Sequence, residues 1–130
     1  MDLDKFILEL AAVGAPMPEY AHATYMKAPI GSRAEQMARE RCDELILALL
    51  PSVTDLRRVR RFASLAFYEA TEAAAFARLE ELIIDELDHA TLSRARKLYD
   101  IAPLGSRAEH RAREVYTRLE RERDNPPIEK

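Results

Sequence analysis

The chain has 130 residues, of which 48% are hydrophobic and 33% are charged, and these proportions predict one globular domain with a real core. A formal net charge of −3 excludes strong overall attraction to nucleic acid or to an anionic membrane, and no apolar run approaches the roughly 18 residues that a membrane span needs. The single cysteine, Cys42, excludes a disulfide framework and a cysteine-based metal site, so a cytoplasmic setting is favoured. The acidic start of the chain lacks the pattern of a secretion signal, and we expect no targeting segment.

Composition predicts an all-α fold. Ala, Leu, Glu and Arg dominate, only three glycines occur, and no window alternates apolar and polar residues in the way of a strand. Proline and glycine punctuation divides the chain into about seven predicted helices, at residues 3–13, 19–27, 33–49, 55–70, 72–87, 90–101 and 107–123. The division at Thr71 depends only on the length of an uninterrupted helical span, which is too long for one ordinary helix.

One stretch of the sequence occurs twice. Residues 28–40 read APIGSRAEQMARE and residues 102–114 read APLGSRAEHRARE, an offset of 74 with ten of thirteen positions identical. This indicates duplication of a helix–turn–helix hairpin. Residues 55–87 are interpreted as a diverged third copy, in which Tyr68 matches Tyr25 and Tyr99, and Thr71 matches the cap serines. We therefore predict a single helical-repeat domain, residues 1–123, with hairpins at 19–49, 55–87 and 92–123, followed by a flexible tail at 124–130. Tandem hairpins of this kind form a short α-solenoid or a compact bundle.

The repeated turn is predicted to be mainly structural. Proline ends one helix, glycine reverses the chain, serine caps the next helix, and the glutamate at the third position returns to the backbone N–H of the serine. The turn residues are Gly31, Ser32, Arg33 and Glu35 in the first copy and Gly105, Ser106, Arg107 and Glu109 in the second. Capping does not explain the two arginines, and a helix N-terminus beside an arginine is also suited to a phosphate or carboxylate.

A basic run, Arg57-Arg58-Val59-Arg60-Arg61, is the candidate binding surface. Helical periodicity predicts a polar face that carries Arg57, Arg58, Arg61, Ser64 and Tyr68. Such a face could bind a nucleic-acid backbone or an acidic protein. The alternative is a solvated face whose charges pair with acids of the following helix. Phe62 and Leu65 beside the run favour a third alternative, a homodimer.

Catalytic and metal-binding patterns are missing from the sequence. The three histidines are isolated, and no zinc-protease motif, glycine-rich phosphate loop or nucleophile elbow is present. The cluster of Asp85, Glu86, Asp88 and His89 is predicted to be solvent-facing surface at a helix end. We expect no catalytic residues, cofactor or metal. The hypothesis is a non-enzymatic protein–protein interaction or adaptor module whose partner is another protein or a second copy, with no membrane association. The alternative is a nucleic-acid-associated accessory protein that uses the Arg57–Arg61 face.

Overall fold

The computed structural model describes residues 17–125. These residues form six helices, α1 (Pro18–Lys27), α2 (Arg33–Leu49), α3 (Leu56–Leu65), α4 (Glu69–Leu87), α5 (Leu92–Ile101) and α6 (Arg107–Asp124), with a short 3-10 helix at Leu50–Ser52. No strand occurs between residues 17 and 125, which agrees with the predicted all-α class. Seven helices were predicted; the predicted helix at 3–13 and the tail residues 126–130 lie outside the described residues. Within the described residues, no helix combines the length and the apolar character that crossing a membrane requires.

The chain divides into two compact units between Phe76 and Ala77, within α4. In the first unit α1 packs along α2 and also contacts α3. In the second unit α5 packs along α6. The hairpins that carry the repeated sequence, α1–α2 and α5–α6, therefore belong to different units.

The core of each hairpin follows from helical periodicity. In α2 the buried apolar side chains recur every three or four residues, at Ala34, Ala38, Cys42, Leu45 and Ile46. The buried residues of α6 begin with the same spacing, at Ala108, Ala112 and Val115. Alanine leads both series, and its small side chain lets the paired helix approach closely.

The break between α3 and α4 does not lie at Thr71, where it was predicted. Thr71 lies inside the first turn of α4 and is only 3% exposed, and the non-helical residues are 66–68. The Tyr68 carbonyl accepts hydrogen bonds from the N–H groups of Thr71 and Glu72, which begins α4. Tyr68 therefore lies in a linker, whereas Tyr25 and Tyr99 lie within helices, so the proposed correspondence of the three tyrosines is wrong.

A buried carboxylate holds this linker. Asp43 of α2 is 3% exposed, and its two oxygens accept hydrogen bonds from the N–H groups of Phe67 at 2.9 Å and Tyr68 at 2.8 Å. Helical periodicity predicts that Asp43 lies on the solvent face of α2, opposite the apolar stripe, and this prediction is wrong. Asp43 is buried because it supplies the acceptors that two non-helical N–H groups need.

Candidate interaction sites

The repeated turn has the same geometry in both hairpins. The Ser32 N–H donates to the Pro29 carbonyl at 3.0 Å, and the Ser106 N–H donates to the Pro103 carbonyl at 3.1 Å. The third residue of each β-turn is a glycine with positive φ, 78° at Gly31 and 76° at Gly105. This is the φ that a type II turn requires at its third position, and it accounts for both glycines.

Each turn is closed by a capping box with one difference from the prediction. Ser32 Oγ accepts from the Glu35 N–H at 3.1 Å, as predicted, but the Glu35 carboxylate accepts from the Gly31 N–H at 3.2 Å rather than from the Ser32 N–H. The Ser32 N–H is already used by the β-turn. Ser106 and Glu109 repeat both contacts at 3.1 and 3.2 Å.

The N-terminus of α6 also receives a carboxylate from its own unit. A Glu80 side-chain oxygen accepts from the Arg107 N–H at 3.0 Å. In the second copy, therefore, Glu109 accepts from the Gly105 N–H, Glu80 accepts from the Arg107 N–H, and Ser106 Oγ accepts from the Glu109 N–H.

The second residue of each turn is a large apolar side chain in solvent. Ile30 is 98% exposed and Leu104 is 94% exposed, the two highest values among the exposed large hydrophobic residues of the described range. Arg33 and Arg107 follow three residues later, and both are exposed and form no ion pair with another residue of the range 17–125. We refer to Ile30 with Arg33, and to Leu104 with Arg107, as the two turn tips.

The exposed arginines of α3 are not the same set as those predicted on the basic face. On α3 the exposed arginines are Arg57, Arg60 and Arg61, at helical spacings of three and four. Arg58 is half-buried: it pairs with Glu19 at 3.4 Å and stacks over the Phe62 ring at 4.8 Å. Arg61 lies 3.9 Å from the same carboxylate. The pairing acid thus comes from α1 and not from the following helix.

Tyr68, which was predicted on this face, and Phe62, which was predicted beside it, are not part of the exposed surface of α3. Phe62 is 0% exposed, so it offers no surface for a homodimer. Tyr68 lies in the linker, where its hydroxyl accepts from Gln36 Nε2 at 3.5 Å. The groove on the basic surface has a volume of about 510 Å³ and is lined by Asp55, Arg57, Arg58, Arg60, Arg61 and Ser64.

Sequence reasoning missed an aromatic cluster in the first hairpin. The Phe67 ring lies 4.5 Å from the Tyr25 ring and 5.4 Å from the His22 ring, between centroids. The Arg39 guanidinium lies over the Tyr25 ring, 5.7 Å from its centroid. The signal was present in the sequence, since tyrosine and arginine stand seven residues before and after the cap serine in both copies.

The second hairpin carries a groove at the corresponding place. Its volume is about 330 Å³, and it is lined by Arg96, Tyr99, Asp100, Arg113, Tyr116 and Thr117. Arg113 lies 5.9 Å over the Tyr99 ring and donates to its hydroxyl at 3.3 Å. Arg96 lies 5.8 Å over the Tyr116 ring and donates to that hydroxyl at 3.4 Å. A hydrogen bond to Glu120 raises the pKa of Tyr116 above its usual value, so this residue is a neutral phenol at physiological pH.

The described residues hold no cluster of three or more His, Cys, Asp or Glu side chains suited to a metal ion. Burial, reinforced by the charges of Asp43 and Glu19, raises the pKa of the Cys42 thiol to about 12. Cys42 is therefore protonated near neutral pH and is a weak nucleophile. The predicted surface cluster at the end of α4 is partly engaged, because the Glu86 carboxylate forms a two-point ion pair with Arg94 of α5.

Comparisons with protein-family models, with curated proteins and with solved structures find no match.

Proposed function

We propose that the chain is a non-enzymatic protein-interaction or adaptor module that contacts its partner through the two turn tips. The observation that carries this proposal is the almost complete exposure of Ile30 and Leu104 at the same position of two duplicated turns. A type II turn needs glycine at its third residue but accepts most residues at its second, so the turn itself does not require an apolar side chain there. Burial of each side chain by a partner would contribute about 2 kcal/mol.

The charges next to the tips indicate what surface would complement them. Arg33 and Arg107 are exposed and make no ion pair within residues 17–125, so their guanidinium groups are available to an incoming carboxylate. A partner with an apolar pocket bordered by acidic side chains fits this combination. Repetition of the tip in both hairpins gives the module two contacts of the same chemistry.

The arrangement of hairpins and the cellular location are parts of the same proposal. The duplicated turn and the repeated tyrosine–arginine pair of each hairpin support a tandem helical repeat, in the form of a short α-solenoid or a compact bundle. The single, buried and protonated Cys42 supports a cytoplasmic location.

The test is affinity capture after nuclease treatment, with the wild-type chain and an Ile30→Ser/Leu104→Ser double variant. We expect a stoichiometric partner protein on the wild-type chain and its loss from the double variant, with unchanged circular dichroism. The matched control is Leu47→Ser, a change of another exposed apolar residue, which should retain the partner. Retention of the same protein by the double variant, or the lack of any stoichiometric partner on the wild-type chain, would overturn the proposal.

A nucleic-acid-associated role is the second candidate, and the exposed arginine face of α3 favours it. Arg57 and Arg60 are exposed and form no ion pair among the described residues, so their guanidinium groups can bind the phosphates of a nucleic-acid backbone. Replacement of Arg58 or Arg61 would also disturb Glu19, and the informative variant is therefore Arg57→Glu/Arg60→Glu.

The binding assay is fluorescence anisotropy with labelled single- and double-stranded oligonucleotides at two salt concentrations. This candidate predicts salt-dependent binding that the Arg57→Glu/Arg60→Glu variant loses and that an Arg118→Glu/Arg121→Glu variant of α6 keeps. Equal binding by both variants, or no binding by the wild-type chain, would exclude the face as a nucleic-acid site.

A further inference from the structure

The first hairpin holds a non-helical segment of its own chain. The Phe67 ring packs against His22 and Tyr25, and Asp43 accepts from the N–H groups of Phe67 and Tyr68. The Cys42 thiol lies 3.8 Å from the Leu65 carbonyl oxygen. Ala66, between these contacts, has extended backbone angles of φ −62° and ψ 134°. The α1–α2 hairpin therefore binds a short extended peptide by one aromatic ring and by its main chain.

The groove of the second hairpin is lined by residues that correspond in sequence to those around the bound segment of the first hairpin. Each lining residue follows a residue of the first hairpin by 74 positions. The pairs are His22 and Arg96, Tyr25 and Tyr99, Met26 and Asp100, Arg39 and Arg113, Cys42 and Tyr116, and Asp43 and Thr117. Four of the six first-hairpin residues contact residues 65–68, which are the last residue of α3 and the linker after it; these four are His22, Tyr25, Cys42 and Asp43. In the second hairpin this place is an open groove of about 330 Å³.

We propose that the groove between α5 and α6 binds an extended peptide segment of a partner, with an aromatic side chain next to an acidic one. The segment occupies the place that residues 65–68 of the chain itself occupy on the first hairpin. This site is separate from the turn tips, and it adds a defined ligand class that the proposed function does not specify.

The aromatic residue of the ligand follows from Tyr99. Tyr25, its counterpart, packs against the Phe67 ring at 4.5 Å and is covered by Arg39. Tyr99 keeps the same arginine cover from Arg113. An aromatic ring on Tyr99 gains burial and ring–ring contact as Phe67 does on Tyr25. A groove of this size is at the small end of ligand sites and suits one such ring with its flanking residues.

The acidic residue of the ligand is inferred from the charged residues that differ between the two hairpins. Thr117 stands in place of the Asp43 carboxylate, and Arg96 stands in place of His22. Arg96 and Arg113 have phenol oxygens as hydrogen-bond partners and form no ion pair with a carboxylate within residues 17–125. Two guanidinium groups thus line the groove without a paired carboxylate among the described residues, and both can bind a carboxylate of the ligand.

The probe is a fluorescein-labelled peptide with the sequence of residues 64–69, Ser-Leu-Ala-Phe-Tyr-Glu, which places aromatic residues beside a glutamate. Anisotropy titration of the full chain should show saturable binding. An Arg96→Gln/Arg113→Gln variant should bind at least about tenfold more weakly, the loss of one charge-assisted contact. The control Arg118→Gln removes an exposed arginine of α6 outside the groove lining and should bind normally, as should the Ile30→Ser/Leu104→Ser variant.

The ligand chemistry is tested with altered probes. A peptide with alanine in place of phenylalanine and a peptide with glutamine in place of glutamate should each lose affinity. Amide NMR shifts on peptide addition should centre on Tyr99, Tyr116 and Thr117. No saturable binding of the probe, equal binding of the alanine peptide, complete displacement by inorganic phosphate, or shifts centred on α1–α2 would each overturn the proposal. The turn-tip variant Ile30→Ser/Leu104→Ser should still bind the peptide. Its result therefore tests the groove separately from the partner contact proposed for the turn tips.

Discussion

Removal of the Asp43 carboxylate should destabilise the first unit more than any change at a nearby surface acid. In an Asp43→Ala variant, the N–H groups of Phe67 and Tyr68 lose acceptors at 2.9 and 2.8 Å. Hydrogen bonds to a charged group contribute about 1.5–3 kcal/mol each, and water can reach Tyr68, which is 39% exposed and lies next to the start of α4. We expect the free energy of unfolding to fall by about 3 kcal/mol. This is a large fraction of the roughly 5–15 kcal/mol typical of a folded domain.

The assay is urea denaturation followed by circular dichroism, with hydrogen exchange of the Phe67 and Tyr68 amides as a local measurement. Asp43→Asn keeps one side-chain oxygen as acceptor and should lie between the wild type and Asp43→Ala. The matched control is Glu44→Ala, because Glu44 is the exposed neighbouring acid, with an ion pair to Arg41 at 3.4 Å. That change should cost less than about 0.5 kcal/mol. Equal midpoints for Asp43→Ala and Glu44→Ala, with unchanged exchange at both amides, would refute the argument.

Three further predictions concern single residues, namely Arg58, Gly105 and Cys42. Arg58→Ala should lower the free energy of unfolding by about 1–2 kcal/mol in urea denaturation, because both Glu19 carboxylate oxygens are shielded from solvent and lose their closest cation, whereas Arg57→Ala should have almost no effect. Equal effects of the two changes would contradict this pairing. Gly105→Ala should lower the unfolding free energy by about 1 kcal/mol through the backbone alone, since φ is 76° and an added Cβ meets no atom within 4 Å; an unchanged melting temperature would contradict this prediction. The pKa of Cys42 is raised from 9.0 to about 12, so its thiol should react slowly with a disulfide reagent at pH 8 until urea is added. Because the folded chain keeps this proton between pH 9 and 12 and the unfolded chain loses it, the stability contribution of Cys42 should be complete below pH 9 and decline across that window, and Cys42→Ala should make the fall in stability across the window smaller. Native labelling as fast as labelling of the unfolded chain would disprove the burial argument.

Elements with local causes were predictable from the sequence, as α2 and the turn before it show. The Pro-x-Gly-Ser pattern specifies the turn, and the predicted bounds of α2, residues 33–49, are those of the structure. The linker at 66–68 was not predictable in this way, because its N–H groups are satisfied by Asp43, which is 24 and 25 residues away in sequence. Helical periodicity places a charged residue on the solvent face. It cannot show that a partner distant in sequence holds that residue in the interior, as Phe67 and Tyr68 hold Asp43.

The basic run shows a second limit of sequence reasoning. The pattern correctly indicates that arginines of α3 pair with acids, but the structure places the carboxylate on α1 rather than on the following helix. Periodicity identifies which face of a helix is polar. It does not identify which helix packs against that face, so the exposed arginines could be separated from the paired ones only with the tertiary contacts.

The two hairpins agree at the positions that set the backbone of the turn, and they differ at most positions where the first hairpin contacts residues 65–68 of its own chain. The turn glycines, cap serines and capping glutamates are identical in both copies because the type II turn and the helix start need them. The tyrosine and arginine seven residues on either side of the cap are also retained, and they pair in both units. Of the four first-hairpin residues that contact the linker, only Tyr25 has an identical counterpart in the second hairpin, Tyr99. The tyrosine–arginine pair is retained while His22, Cys42 and Asp43 are replaced, and this is the pattern that the proposed groove predicts: an aromatic ring bound as in the first hairpin, in a ligand of different charge.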